Sequence, residues 1–106
     1  MLHFTPTQLA EHLESGEQAL TLLDVRETWE FETCHIDGSV LIPMGEIPSK
    51  LTQIDNELPI VVICHHGRRS FNVATFLEGN GFKNVINLTG GVDAWAKEVD
   101  SAMATY

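Results

Sequence analysis

The stretch Pro59-Ile60-Val61-Val62-Ile63-Cys64-His65-His66-Gly67-Arg68-Arg69-Ser70 decides how the chain is read. Its first half is a nearly continuous apolar run of strand length, which suits a strand covered on both faces better than one with a wet side. Its second half leads into Phe71, Ala74, Thr75 and Leu77 at helical spacing. Cys64 is therefore expected at the carboxyl end of a buried strand, where the chain turns sharply into a helix. Gly67 permits backbone conformations that other residues resist, successive loop N–H groups can form an anion-binding nest, and the helix N-terminus adds its dipole. Two of the six Lys+Arg residues of the chain, Arg68 and Arg69, stand side by side next to this cysteine. Cations in the first turn of a helix oppose its dipole unless an anion is held there. A structural cysteine at a strand end leaves that conflict unexplained. The pattern predicts an anion site around a nucleophilic thiolate, with Cys64 as the catalytic residue and His65, His66, Gly67, Arg68, Arg69 and Ser70 as its binding loop.

Working outward, the same kinds of run recur on either side. Ala19 to Val25 reads as a second strand buried on both faces, and Ser39 to Ile42 and Asn84 to Leu88 as shorter β-branched strands after a brief opening strand. Thr5 before Pro6, apolar Leu9, Ala10 and Leu13, and a stop at Ser15-Gly16 predict a capped helix. Further helices are predicted over Glu27 to Thr33, Glu46 to Gln53, Arg69 to Glu78 and Val92 to Val99. Strands alternating with helices in this way give an α/β fold, a central and mostly parallel sheet with helices on both faces. Ligands on that plan bind beyond the carboxyl ends of the strands, where Cys64 is expected.

Length and charge narrow the function. A chain of 106 residues has room for one domain, and 43% hydrophobic residues are enough to build its core. The domain is expected over residues 1–100, with 101–106, small and polar, as a flexible C-terminal tail. Six Lys+Arg against fifteen Asp+Glu give a net charge of −9, which repels phosphate backbones and anionic membranes. Neither nucleic acid nor membrane is an expected partner. With no long apolar run and no signal pattern at the start, a cytoplasmic protein is expected. Two cysteines, Cys34 and Cys64, are too few for a disulfide framework.

Four motifs in order carry a family resemblance from about Thr5 to Val99. They are Leu22-Leu23-Asp24-Val25-Arg26-Glu27 with Trp29-Glu30; Cys34-His35-Ile36-Asp37-Gly38-Ser39 with Ile42-Pro43; the loop Cys64 to Ser70; and Gly81 to Leu88 followed by Gly90-Gly91-Val92-Asp93-Ala94-Trp95. The chain resembles a single-domain rhodanese, of the sulfurtransferase family. The resemblance implies a rhodanese-like fold and a thiosulfate sulfurtransferase that moves a sulfane sulfur through a Cys64 persulfide. It implies a small anionic donor, a cyanide or thiol acceptor or a protein acceptor, and no metal or organic cofactor. Arg69 or Arg68 would meet the oxyanion of the donor. The readings kept beside it are a persulfide relay between partner proteins, a phosphatase or arsenate reductase, and a non-catalytic binding module. Phosphatases of related fold carry Arg six positions after the cysteine; here that position is Ser70.

Other positions are read more plainly. Asp24 and Arg26 are placed at the edge of the pocket, and Arg26 and Glu30, four apart, are read as a structural pair. Cys34 stands where the family usually has glycine, and is read as a small buried thiol rather than a resolving cysteine. His35 is read as structural. His65 and His66 invite a metal, but neighbours on a tight loop rarely converge on one ion.

Overall fold

The computed structural model describes residues 1–106. Five strands, β1 (Leu2–Phe4), β2 (Thr21–Asp24), β3 (Val40–Leu41), β4 (Ile60–Ile63) and β5 (Val85–Leu88), form one sheet. All four pairings are parallel and the strand order is β1-β5-β4-β2-β3, so β4 lies in the middle. Three α-helices lie between strands, α1 (Pro6–Ser15), α2 (Thr28–Thr33) and α3 (Arg68–Gly79), and a fourth, α4 (Gly91–Glu98), follows β5.

Alternation along β4 splits the core in two. Ile60, Val62 and Cys64 face one side with Leu23, Val25 and Val85, and α3 covers them with Val73, Ala74 and Leu77. Val61 and Ile63 face the other with Leu22, Ile86 and Leu88, beneath Leu9 of α1 and Val92 and Trp95 of α4. All four residues of β4 are fully buried. That is why the run carries no polar residue: each buried aliphatic side chain contributes about 1.5–3 kcal/mol, and neither face of the strand meets water.

Local signals set the helix ends. Thr5 Oγ1 accepts from Gln8 N at 3.2 Å while Gln8 Oε1 accepts from Thr5 N at 2.9 Å, so two of the orphan donors at the start of α1 are met. The helix expected over Glu46 to Gln53 is instead two 3-10 turns, Met44–Glu46 and Pro48–Gln53. Pro48 brings no N–H, and the Ser49 hydroxyl donates to Glu46 O at 2.9 Å, which competes with backbone pairing. The segment closes through tighter bonds, Lys50 N to Ile47 O at 3.0 Å and Ile54 N to Leu51 O at 3.2 Å. Of the last six residues, Met103 packs against the second core cluster and Tyr106 reaches the carboxyl end of the sheet.

Candidate active site

The centre of the site is the Cys64 sulfur, one residue beyond β4 and only 1% exposed. Gly67 N donates to it at 3.0 Å, and the thiol lies 3.3 Å from Ser70 Oγ. Ser70 Oγ donates to Asn87 Oδ1 at 2.5 Å, and Asn87 Nδ2 donates to Gly67 O at 3.4 Å. The four residues thus close a ring of polar contacts around the sulfur. Asn87 escaped the sequence reading; its one signal is an amide inside the apolar strand β5, where a buried polar group must find partners.

The turn after Cys64 is held from outside by α4. Val92 N donates to Cys64 O at 2.9 Å and Asp93 N to His65 O at 3.1 Å. A peptide is planar and trans, so with those carbonyls turned toward α4 the N–H groups of His65 and His66 point the other way, into the loop. The first-turn N–H groups of α3, from Arg68 to Ser70, are donors that no helical carbonyl can meet. Together these give the loop a set of inward N–H donors of the kind that forms an anion-binding nest. Gly67 reaches this turn with φ +100°, and a Cβ on it would lie 3.0 Å from Gly90 N. Two glycine-bearing turns pack against each other, and neither has room for a side chain.

Arg69 of the loop is already paired. Arg69 donates to both oxygens of Glu30, at 2.7 and 2.8 Å. The Glu30 carboxyl is held down to about 2, chiefly by that bond from Arg69, and Glu30 in turn raises Arg69. Arg68 is exposed and enters no ion pair. The pair expected between Arg26 and Glu30 does not form through the carboxylate. Arg26 instead donates from Nε and Nη2 to Asp24 and from Nη1 to the Glu30 carbonyl at 3.3 Å. Asp24 and Arg26 are both 0% exposed, so they lie beneath the rim, not on the pocket edge where the sequence placed them. A buried guanidinium needs a buried counter-charge, and the carboxylate two residues back supplies it.

The Glu30–Arg69 pair gives a pH prediction. With Glu30 lowered from 4.5 to about 2, its stabilising contribution is complete above pH 4.5 and drains away as pH falls toward 2. Glu30→Gln should therefore lose about 1 kcal/mol near neutral pH, because Arg69 keeps a hydrogen bond but not the charge. Urea unfolding across that range checks it: the gap between variant and wild type should close with acid, and a gap independent of pH would refute the pairing.

The two histidines differ. His65 stacks on Tyr106 with 3.9 Å between ring centres and meets His66 at the same separation with the planes tilted by 35°, and it is held below its ordinary pKa by burial first and by the neighbouring His66 charge second. His66 is exposed and lies 3.9 Å from Asp93. Ligand atoms of His65, His66 and Asp93 come within 4.8 Å of one another. The two ring planes are tilted by 35°, and the fold brings the ligand atoms of these loop neighbours closer together than the sequence suggested. His35 Nδ1 donates to Phe31 O at 2.8 Å and its ring stacks on the Phe31 ring, a structural role. Cys34 packs against the second core cluster whereas Cys64 belongs to the first, so the sheet separates the two thiols.

The tail residue Tyr106 was not read as part of any site. Its hydroxyl accepts from Arg26 Nη1 at 2.8 Å and donates to Glu30 Oε2 at 2.7 Å. No helix is long and apolar enough to cross a membrane.

Comparison with known proteins bears on the family and the fold. Residues 5–98 match the sequence model of the Rhodanese-like domain. The chain is 36% identical over 102 residues to the thiosulfate sulfurtransferase GlpE of Haemophilus influenzae, covering 96% of this chain and 94% of that protein. It is 39% identical over 85 residues to YrkF of Bacillus subtilis, a protein whose name is that of a sulfur carrier, covering 80% of this chain but 46% of YrkF. The chain thus spans less than half the length of some of the curated relatives it matches. Among solved structures, the rhodanese-like domain protein of Staphylococcus aureus superposes with a TM-score of 0.85 at 29% identity, covering 100% of this chain and 99% of that one.

Proposed function

Since the chain belongs to the rhodanese-like domain family, we propose that it is a sulfurtransferase that carries a sulfane sulfur on Cys64. The observation that carries this reading is the buried Cys64 sulfur at the end of the central strand, with Gly67 N donating to it at 3.0 Å in a turn whose carbonyls are held by the last helix. The Cys64 thiolate attacks the outer sulfur of thiosulfate. A new S–S bond forms to Cys64, the S–S bond of the donor breaks, and its electron pair leaves with sulfite. Charge is conserved, since a monoanion and a dianion give a persulfide monoanion and a sulfite dianion. Cyanide or a thiol then attacks the outer sulfur, and the electron pair of that bond returns to Cys64 as thiolate.

Each residue has a task in that sequence. The N–H donors stabilise first the thiolate and then the terminal sulfur of the persulfide, which carries the same charge one bond further out. Ser70 can turn its hydroxyl from Asn87 toward the sulfur when the thiol has lost its proton. Arg68 attracts the anionic donor, and Arg69, tied to Glu30, shapes the rim. A phosphatase is less well served: at the sixth position after Cys64 it would need an arginine fork for phosphate, and Ser70 stands there. The donor and acceptor are small sulfur anions, cyanide or a thiol.

The experiment is intact mass of the reduced protein after thiosulfate and again after cyanide. One sulfur gained and then lost is expected. No gain in folded, reduced protein would refute the thiosulfate step.

A further inference from the structure

Cys64 is only 1% exposed, yet any sulfur donor must reach it. The closed sulfur raises the question of what lies over the loop. The ring of Tyr106 stacks on His65 at 3.9 Å and 9°, and Trp29 meets it edge-on at 5.5 Å. Its hydroxyl bridges Arg26 and Glu30 at 2.8 and 2.7 Å. His65 opens the binding loop, and Glu30 holds Arg69 near its other end. Tyr106 thus touches His65 with its ring and Glu30 with its hydroxyl, bridging the two ends of the loop.

We propose that Tyr106 is a specificity-determining residue, a gate ring across the Cys64 loop that favours small sulfur donors and acceptors over bulky ones. The inference rests on the sulfurtransferase reading for the identity of those substrates. Two features suit a gate better than a structural anchor. First, the charges beneath do not depend on it, since Arg26 has Asp24 and Glu30 has Arg69. Second, the segment carrying it is lightly tethered: Ala102 N donates to Asp100 Oδ1 and Met103 N to Asp100 O, and beyond the partly buried Met103 the ring and hydroxyl of Tyr106 are its polar and aromatic hold. Burial keeps the phenol protonated, pushed up to about 12, so the hydroxyl remains a donor to Glu30. A segment held so lightly opens at far lower cost than the sheet beneath it. A small reagent needs a partial opening; a large one needs the whole segment displaced.

Alkylation of Cys64 tests this without requiring turnover. Wild type, Tyr106→Ala and Tyr106→Phe are each treated with iodoacetamide and with a fluorescein maleimide, and modification is followed on the Cys64 peptide so that Cys34 does not interfere. Tyr106→Ala should raise the maleimide rate relative to the iodoacetamide rate about tenfold, in line with a larger open fraction, and Tyr106→Phe, which keeps the ring and loses the hydroxyl bridge, by about threefold. The same ratio in all three proteins would overturn the gate, and so would an equal acceleration of both reagents, which is general loosening. Sulfur gained from thiosulfate by the same variants is read separately by mass, so a failure of the persulfide reading and a failure of the gate are distinct results.

Discussion

Cys64→Ser should abolish sulfur transfer and leave the protein folded. The hydroxyl of serine is smaller than the thiol and finds the same partners, since Gly67 N and Ser70 Oγ already surround the position. A buried hydroxyl with hydrogen bonds on two sides costs little, so the stability change should stay within about 1–2 kcal/mol, most of it from the lost contact of the larger sulfur atom. The chemistry has no such tolerance. An alcohol at this position is not ionised near neutral pH, and no base lies against it to take its proton; an oxygen also cannot form the S–S bond that stores the transferred atom. Thiocyanate formation from thiosulfate and cyanide should therefore fall to the uncatalysed rate, and no sulfur should be gained by mass. Turnover retained in this variant would reject Cys64 as the carrier. A variant that fails to unfold cooperatively in urea would instead show that the thiol is a core residue first.

The site was legible where its residues are close in sequence and illegible where the fold brings distant residues together. The strand β4, the turn and the start of α3 are consecutive, and each step carries its own signal: an apolar run, a cysteine, a glycine, then helical periodicity. The position of Cys64 at a strand end follows from those alone. By contrast Arg69 and Glu30 are 39 positions apart, and nothing in the periodicity of either helix marks them as partners. Spacing alone favoured Arg26 with Glu30, four apart; the fold rejects it because Arg26 is wholly buried and takes the nearer carboxylate of Asp24. Tyr106 meets Glu30 across 76 positions, so a small polar segment that reads as a loose end ends on the active loop. Asn87 was hidden for another reason. A strand buried on both faces tolerates one polar residue when a partner waits beside it, and that partner, Ser70, lies on another element.

The largest structural effect is expected from one added methyl group, in Gly91→Ala. The double glycine Gly90-Gly91 brings the chain into its last helix close against the loop after Cys64. A Cβ on Gly91 would lie 2.2 Å from Cys64 O, 2.5 Å from His65 O and 2.6 Å from His65 C. All three are backbone atoms of the binding loop, and they cannot swing aside as the end of a side chain can. Gly91 also has φ +59°, a left-handed conformation that costs an L residue about 1–2 kcal/mol. Overpacking against rigid atoms adds about 1–3 kcal/mol, so the total is about 2–5 kcal/mol, a large share of the 5–15 kcal/mol that holds a domain of this size. Gly16→Ala separates the two contributions: Gly16 has φ +63° and nothing within 4 Å of its Cβ position, so it should lose the conformational part alone, about 1 kcal/mol. Urea unfolding of both variants decides the matter, and equal losses would show that the contact with the loop carries no energy. Where Gly91→Ala retains its fold, the displaced carbonyls of Cys64 and His65 no longer meet Val92 N and Asp93 N, so the N–H groups on the other side of those peptides lose their aim at the sulfur. Sulfur loading should then fall well below that of Gly16→Ala at matched folded fraction, because the last helix, which touches no substrate, is what points the donors inward.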